Sequence, residues 1–157
     1  MLVAMASTVT FAVAKDSPAT KPEFTIAITA PQTTVKLGSP IVLNLTEANI
    51  SEHDLPRTST SQGTRFMDIK LYDTDGKAVP ETEHGKLLHG RSVKWPNSHS
   101  GFIQRFIPKG QSFHEESDLS KEFILDKPGT YTVQAEHFDY ASQVLVKSNA
   151  ITLTLTN

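Results

Sequence analysis

The chain contains no cysteine. That absence removes disulfides, cysteine-held zinc, iron–sulfur clusters and thiol nucleophiles in one step. Nor is there an apolar run of the roughly 20 residues that a membrane-spanning helix needs. Neither sign of charge dominates: 15 basic residues stand against 17 acidic ones, a formal net charge of −2. Bulk attraction to nucleic acid is therefore not expected. No G-x-S-x-G, no glycine-rich phosphate loop and no helical repeat occurs along the chain. These gaps argue against an enzyme and against a bound cofactor.

What is present points to strands. Threonine, valine, isoleucine and the aromatic residues together make up about three residues in ten, the types that fit a pleated, half-buried surface. The length of 157 residues suits one domain with a core of ordinary size. The first residues read differently. Residues 2–14, LVAMASTVTFAVA, carry no charge and end in Ala12-Val13-Ala14 ahead of the polar Lys15-Asp16-Ser17. This small-x-small ending is the mark of a secretory cleavage site. We expect residues 1–14 to be a signal peptide, 15–22 a linker and 23–157 the folded domain. The mature protein is expected in the periplasm or outside the cell, with no membrane span.

Within 23–157, apolar and polar residues alternate in several short segments. Phe24, Ile26 and Ile28 share one parity, as do Ile41, Leu43 and Leu45, then Met67, Ile69 and Leu71. Phe102 to Ile107 is a further apolar segment closed by Pro108-Lys109-Gly110. Tyr131, Val133 and Ala135 alternate with Thr130, Thr132 and Gln134. Val144 and Val146 share one parity and Ile151, Leu153 and Leu155 the other, so a β-bulge is expected near Ser148-Asn149. One helical turn is expected near 118–123, with Ser117 or Asp118 as its N-cap. The predicted fold is an all-β, antiparallel immunoglobulin-like β-sandwich of seven to eight strands, with at most that one helical turn. Residues 49–65 and 74–100 read as long connections.

In the stretch Asp126-Lys127-Pro128-Gly129-Thr130-Tyr131, Pro and Gly break one element and Tyr opens the next. Such a tyrosine corner buries its ring and bonds its hydroxyl to upstream backbone, here near residues 125–127. The stretch Leu119-Ser120-Lys121 through Thr132-Val133 resembles the end of the immunoglobulin-like domain that precedes the catalytic domain of deuterolysin-type metallopeptidases. Leu37-Gly38-Ser39-Pro40-Ile41-Val42-Leu43 through Asp54-Leu55 is similar, more weakly, to the bacterial intracellular proteinase inhibitor family. The resemblance implies a fold rather than an activity.

Several apparent motifs have plainer readings. His114-Glu115-Glu116-Ser117-Asp118 lacks the second histidine of H-E-x-x-H and reads as a strand end. Asp73, Asp75 and Gly76 read as a hairpin turn rather than a calcium loop. The sequons at Asn44 and Asn49 are expected to be unmodified. The least ordinary segment is 84–114, which carries Lys86, Arg91, Lys94, Arg105 and Lys109 and no acidic residue. It also holds Trp95 and four of the six histidines, His84, His89, His99 and His114. The spacing of these histidines fixes no metal geometry. Lys86, Arg91, Lys94 and Trp95 are the candidate ligand-binding residues, suited to a protein or an anionic glycan. The expected function is a non-catalytic exported binding or accessory module; the alternative is a proteinase inhibitor presenting a loop to a protease cleft.

Overall fold

The computed structural model describes residues 21–60, 65–92 and 101–157. The expected signal peptide, most of the linker, Lys94, Trp95 and His99 lie outside the described residues. Nine strands and two short helices are described. β1 (Phe24–Thr29), β3 (Val42–Asn49) and β7 (Ser112–Asp118) form one antiparallel sheet in the order β1-β3-β7. β2 (Thr34–Lys36), β9 (Val144–Thr156), β8 (Gly129–Asp139) and β5 (Asp68–Tyr72) form the other, in that order. Only β2 runs parallel to its neighbour, β9. The two sheets face each other as an immunoglobulin-like β-sandwich. β4 (Leu55–Thr60) and β6 (Phe102–Ile107) make a separate two-stranded ribbon.

The alternating residues supply the core. Phe24, Ile26 and Ile28 from β1 and Leu43 and Leu45 from β3 meet Ile69, Val133, Ala135 and Leu153 from the opposite sheet, all buried. The parity change in β9 is absorbed by a bulge, where the β8–β9 register shifts between Gln134 and Glu136. Ser148 holds it: its Oγ accepts from Ala135 N at 2.9 Å and donates to Asn149 O at 2.6 Å. The displaced Asn149 side chain then pairs with both backbone groups of Ile28, at 2.9 and 3.0 Å, and ties β1 to β9. At the corner, the Tyr131 ring is buried and its hydroxyl donates to Lys127 O at 2.8 Å. After β5, Asp73 Oδ1 accepts from the amides of Asp75 and Lys77, and Gly76 takes a φ of 74°. This is a tight turn that returns Ala78 to Tyr72.

The two facing sheets hold seven strands among the described residues, within the expected seven to eight, and the ribbon adds two more. Two expectations need correction. β4 lies inside the polar stretch 49–65, because its partner β6 pairs with it residue for residue from Leu55↔Ile107 to Thr60↔Phe102. The second helix, α1 (Glu83–Leu88), stands where a loop is expected, beside the anticipated turn α2 (Leu119–Glu122). Thr82 caps α1 by accepting from Gly85 N at 3.0 Å, and Lys86 pairs with Glu83 one turn away. Its packing on α2 supplies what six residues lack in propensity. Among the described residues, no helix is long and apolar enough to cross a membrane.

Candidate functional site

The start of β1, the end of β3, the 108–111 turn and the β8–β9 hairpin share one end of the sandwich, since Phe24 pairs with Asn49 and Ala48 with Ser112. Buried polar side chains brace this end. Asn49 Nδ2 donates to the carbonyls of His53 and Ile107, both at 2.8 Å. Asp139 accepts from Glu23 N at 2.9 Å and from Ser142 Oγ at 2.6 Å. Burial pushes the Asp139 carboxyl up, but these bonds and the Ala141 amide outweigh it and hold the group below its ordinary range.

Glu47 continues the inward parity of Leu43 and Leu45 and is fully buried. An isolated carboxylate there would be costly. Its partners come from other elements. Arg57 of β4 pairs with Oε1 through Nε at 2.7 Å and through Nη2, and His137 of β8 places Nδ1 at 3.5 Å from Oε2. Burial raises the Glu47 carboxyl, yet the His137 ring and the Arg57 guanidinium hold it below the usual carboxylate range. Arg57 also lies over the Phe24 ring, 4.7 Å from its centroid. Glu47 thereby anchors the ribbon to the sandwich end.

Between ribbon and hairpin runs an open groove of about 400 Å³, walled by Phe24, Pro56, Phe66, His137, Phe138 and Tyr140. Tyr140 is 78% exposed and packs edge-on against Phe138, with ring centroids 5.0 Å apart. The wall continues past the groove. Pro56 is the cross-strand neighbour of Phe106 in the ribbon. Phe106 and Phe102 are 59% and 79% exposed. Exposed aromatic residues therefore stand at the hairpin, in Phe138 and Tyr140, and on β6 beside the Pro56 wall of the groove, in Phe106. Sequence reasoning missed this grouping, because 49–65 reads as a loop and nothing local brings it beside the hairpin.

A second constellation fills the space between the sheet edges β5 and β7. Arg65 reaches Glu115 of β7 at 2.6 Å and Glu122 of α2 at 2.9 and 2.8 Å. Ser117 Oγ donates to the same Glu122 at 2.6 Å. His89, the C-cap of α1, has a side chain 0% exposed; its Nδ1 lies 2.6 Å from Glu81 Oε1 and its Nε2 3.6 Å from Glu122 Oε2. Arg91 pairs with both Glu81 and Asp68.

Of the four ligand-binding candidates from the sequence, Lys86 is thus paired with Glu83, and Arg91 with Glu81 and Asp68. Lys94 and Trp95 lie outside the described residues. His114 lies in β7, where its Nδ1 is 3.0 Å from Thr46 Oγ1.

No protein-family model matches the chain, and no curated protein does. Solved structures that are similar include the CARDB domain of the PF1109 protein from Pyrococcus furiosus. That match has 11% identity and a TM-score of 0.47 and covers 86% of this chain and 89% of that one. A β-glucosidase from Erythrobacter marinus matches at 13% identity and a TM-score of 0.46 over 86% of this chain, which spans 16% of that enzyme. A Listeria innocua β-glucosidase matches at 14% identity and a TM-score of 0.46, over 87% of this chain and 16% of the enzyme. Likenesses at this level assign neither activity nor ligand. None of these three structures is a deuterolysin-type peptidase or a proteinase inhibitor, and the expected resemblances to those families gain no support from them.

Proposed function

We propose that this chain is a non-catalytic recognition module that takes an apolar, aromatic-bearing segment of a partner protein in the groove at the loop-bearing end. The observation that carries this reading is the exposed Phe138–Tyr140 pair in the groove, with exposed Phe106 on the strand beside its Pro56 wall. Contiguous apolar surface of this kind marks interaction sites, and aromatic residues dominate the energy of protein interfaces. An anionic glycan is the less favoured occupant. Arg57, Arg91 and Lys86 each already face a carboxylate, so their charge is largely spent within the protein.

Panning a phage-displayed peptide library against the folded chain tests this. Enriched peptides should carry aromatic and aliphatic residues. Their affinity, read by fluorescence anisotropy, should fall about tenfold or more in a Tyr140→Ser, Phe106→Ser double variant, a loss of roughly 1.4 kcal/mol. Peptides that bind the double variant equally well would overturn the assignment. Selective binding of acidic glycans, abolished by salt, would transfer the site to the other ligand class.

The charge-free run ending in Ala12-Val13-Ala14 supports export of this module. N-terminal sequencing of protein made in a bacterial host with a periplasm should read from Lys15 in the exported fraction. Recovery of an intact Met1 terminus in the cytoplasm alone would contradict export.

A further inference from the structure

The charged cluster between β5 and the two helices has an imbalance. Asp68, Glu81, Glu115, Glu122 and Glu136 surround three fixed cations, Arg65, Lys70 and Arg91. Two of its solvent-shielded polar atoms, Asp68 Oδ1 and His89 Nε2, have no hydrogen-bond partner. Leaving buried polar atoms unpaired is expensive, and each such case in a native site asks for an explanation. Asp68, Glu81 and His89 also each bring one ligand-type atom into a group whose members lie within 4.8 Å of one another. They come from the first residue of β5, the Glu81–Phe123 bridge and the C-cap of α1.

We infer that Asp68, Glu81 and His89 form a binding site for a divalent transition-metal ion of the zinc class. One imidazole nitrogen with two carboxylates suits such an ion, leaving its remaining positions to water. The inference gives one orphaned atom a ligand's role and fixes the direction of the other, which needs a small closure to reach its carboxylate. Asp68 Oδ1, 3.9 Å from His89 Nδ1, becomes a ligand. With Nδ1 on the metal, Nε2 carries the ring proton and points it at Glu122 Oε2, 3.6 Å away. Glu122 is itself fixed by Arg65 and Ser117. A histidine ligand whose far nitrogen donates to a carboxylate is the usual outer-shell arrangement, and it sets the tautomer and strengthens the ligand. Two added positive charges also match the excess of carboxylates.

Arg91 is the competitor. Its guanidinium pairs with the same Glu81 Oε1 that His89 faces, and with Asp68 Oδ2. Its side chain is 37% exposed, so it can yield to an ion and swing into water. A metal site and a purely structural ion network therefore respond oppositely to loss of Arg91. Removing it strengthens the first and only weakens the second.

The test uses the folded chain stripped of metal with EDTA. Zinc chloride is titrated calorimetrically, and cobalt(II) chloride is followed by its visible absorption. One ion per chain is expected. Binding should weaken about tenfold or more in Glu81→Gln, as loss of a coordinating or supporting group does. It should tighten in Arg91→Ala and be unchanged in His114→Gln, which removes an exposed histidine. His89→Asn should abolish it; should that variant not fold, Glu81→Gln carries the test. Absence of saturable binding in both the wild type and Arg91→Ala overturns the inference. So does binding that Glu81→Gln leaves intact.

Discussion

Arg65→Met should destabilise the protein by about 3–5 kcal/mol, the usual cost of stranding the partner of a buried ion pair. The Arg65 side chain is 4% exposed and that of Glu122 2%. Burial alone would lower the guanidinium's pKa, but Glu122 and Glu115 raise it above its ordinary value, so the group stays charged. Methionine keeps most of the volume and none of the charge. Glu122 would then retain the Ser117 hydroxyl and the distant His89 ring as its only compensation. Urea denaturation measures the loss. A second variant separates electrostatics from packing. Arg65→Met combined with Glu122→Leu should lose clearly less than Arg65→Met alone, because the stranded carboxylate is gone. A single-variant loss below about 1 kcal/mol would place Arg65 among exposed pairs, which contribute little.

Gly85→Ala should cost about 2–3 kcal/mol, as overpacking does when backbone must move. Helix propensity alone gives the opposite sign, since alanine is favoured over glycine by about 1 kcal/mol within a helix. Geometry decides between them. A Cβ at position 85 would stand 2.1 Å from the Glu122 carbonyl oxygen and 2.9 Å from its carbon. Both are backbone atoms, so no side chain can rotate away. α1 would have to lift from α2, straining the bonds from Thr82 N to Glu122 O at 2.8 Å and from Thr82 Oγ1 to Lys121 O at 2.6 Å. Hydrogen exchange should accelerate for amides 85–92 in the variant. Stability equal to or above the wild type would show that α1 is not seated on α2.

These two sites also mark what the sequence withholds. Leu43 and Leu45, or Val133 and Ala135, announce their strands by parity, and the broken parity of β9 announces its bulge. That information is local. β4 gives no such signal, because Pro56 and a run of Ser and Thr read as a loop; Pro56 is tolerated only because the strand lies in a two-stranded ribbon. α1 is six residues long with a glycine inside it, and its reason for being a helix lies about 35 residues away in α2. The site residues are scattered in the same way. Arg57, His137 and Glu47 belong to three strands, and Asp68, Glu81 and His89 to three different local structures, so no spacing connects them. One signal was readable: Glu47 falls on the buried parity of β3. A charge at such a position demands a partner from elsewhere in the fold.

Occupation of the loop-bearing groove by an aromatic-bearing segment of a partner protein is open to amide chemical-shift mapping, with uniformly 15N-labelled chain titrated with the strongest peptide from the phage selection. Saturable shifts are expected at Arg57, Phe66, His137–Ala141 and Phe106, with the 73–77 turn at the other end of β5 unmoved. Shifts centred on that turn, or spread evenly without saturation, would contradict it.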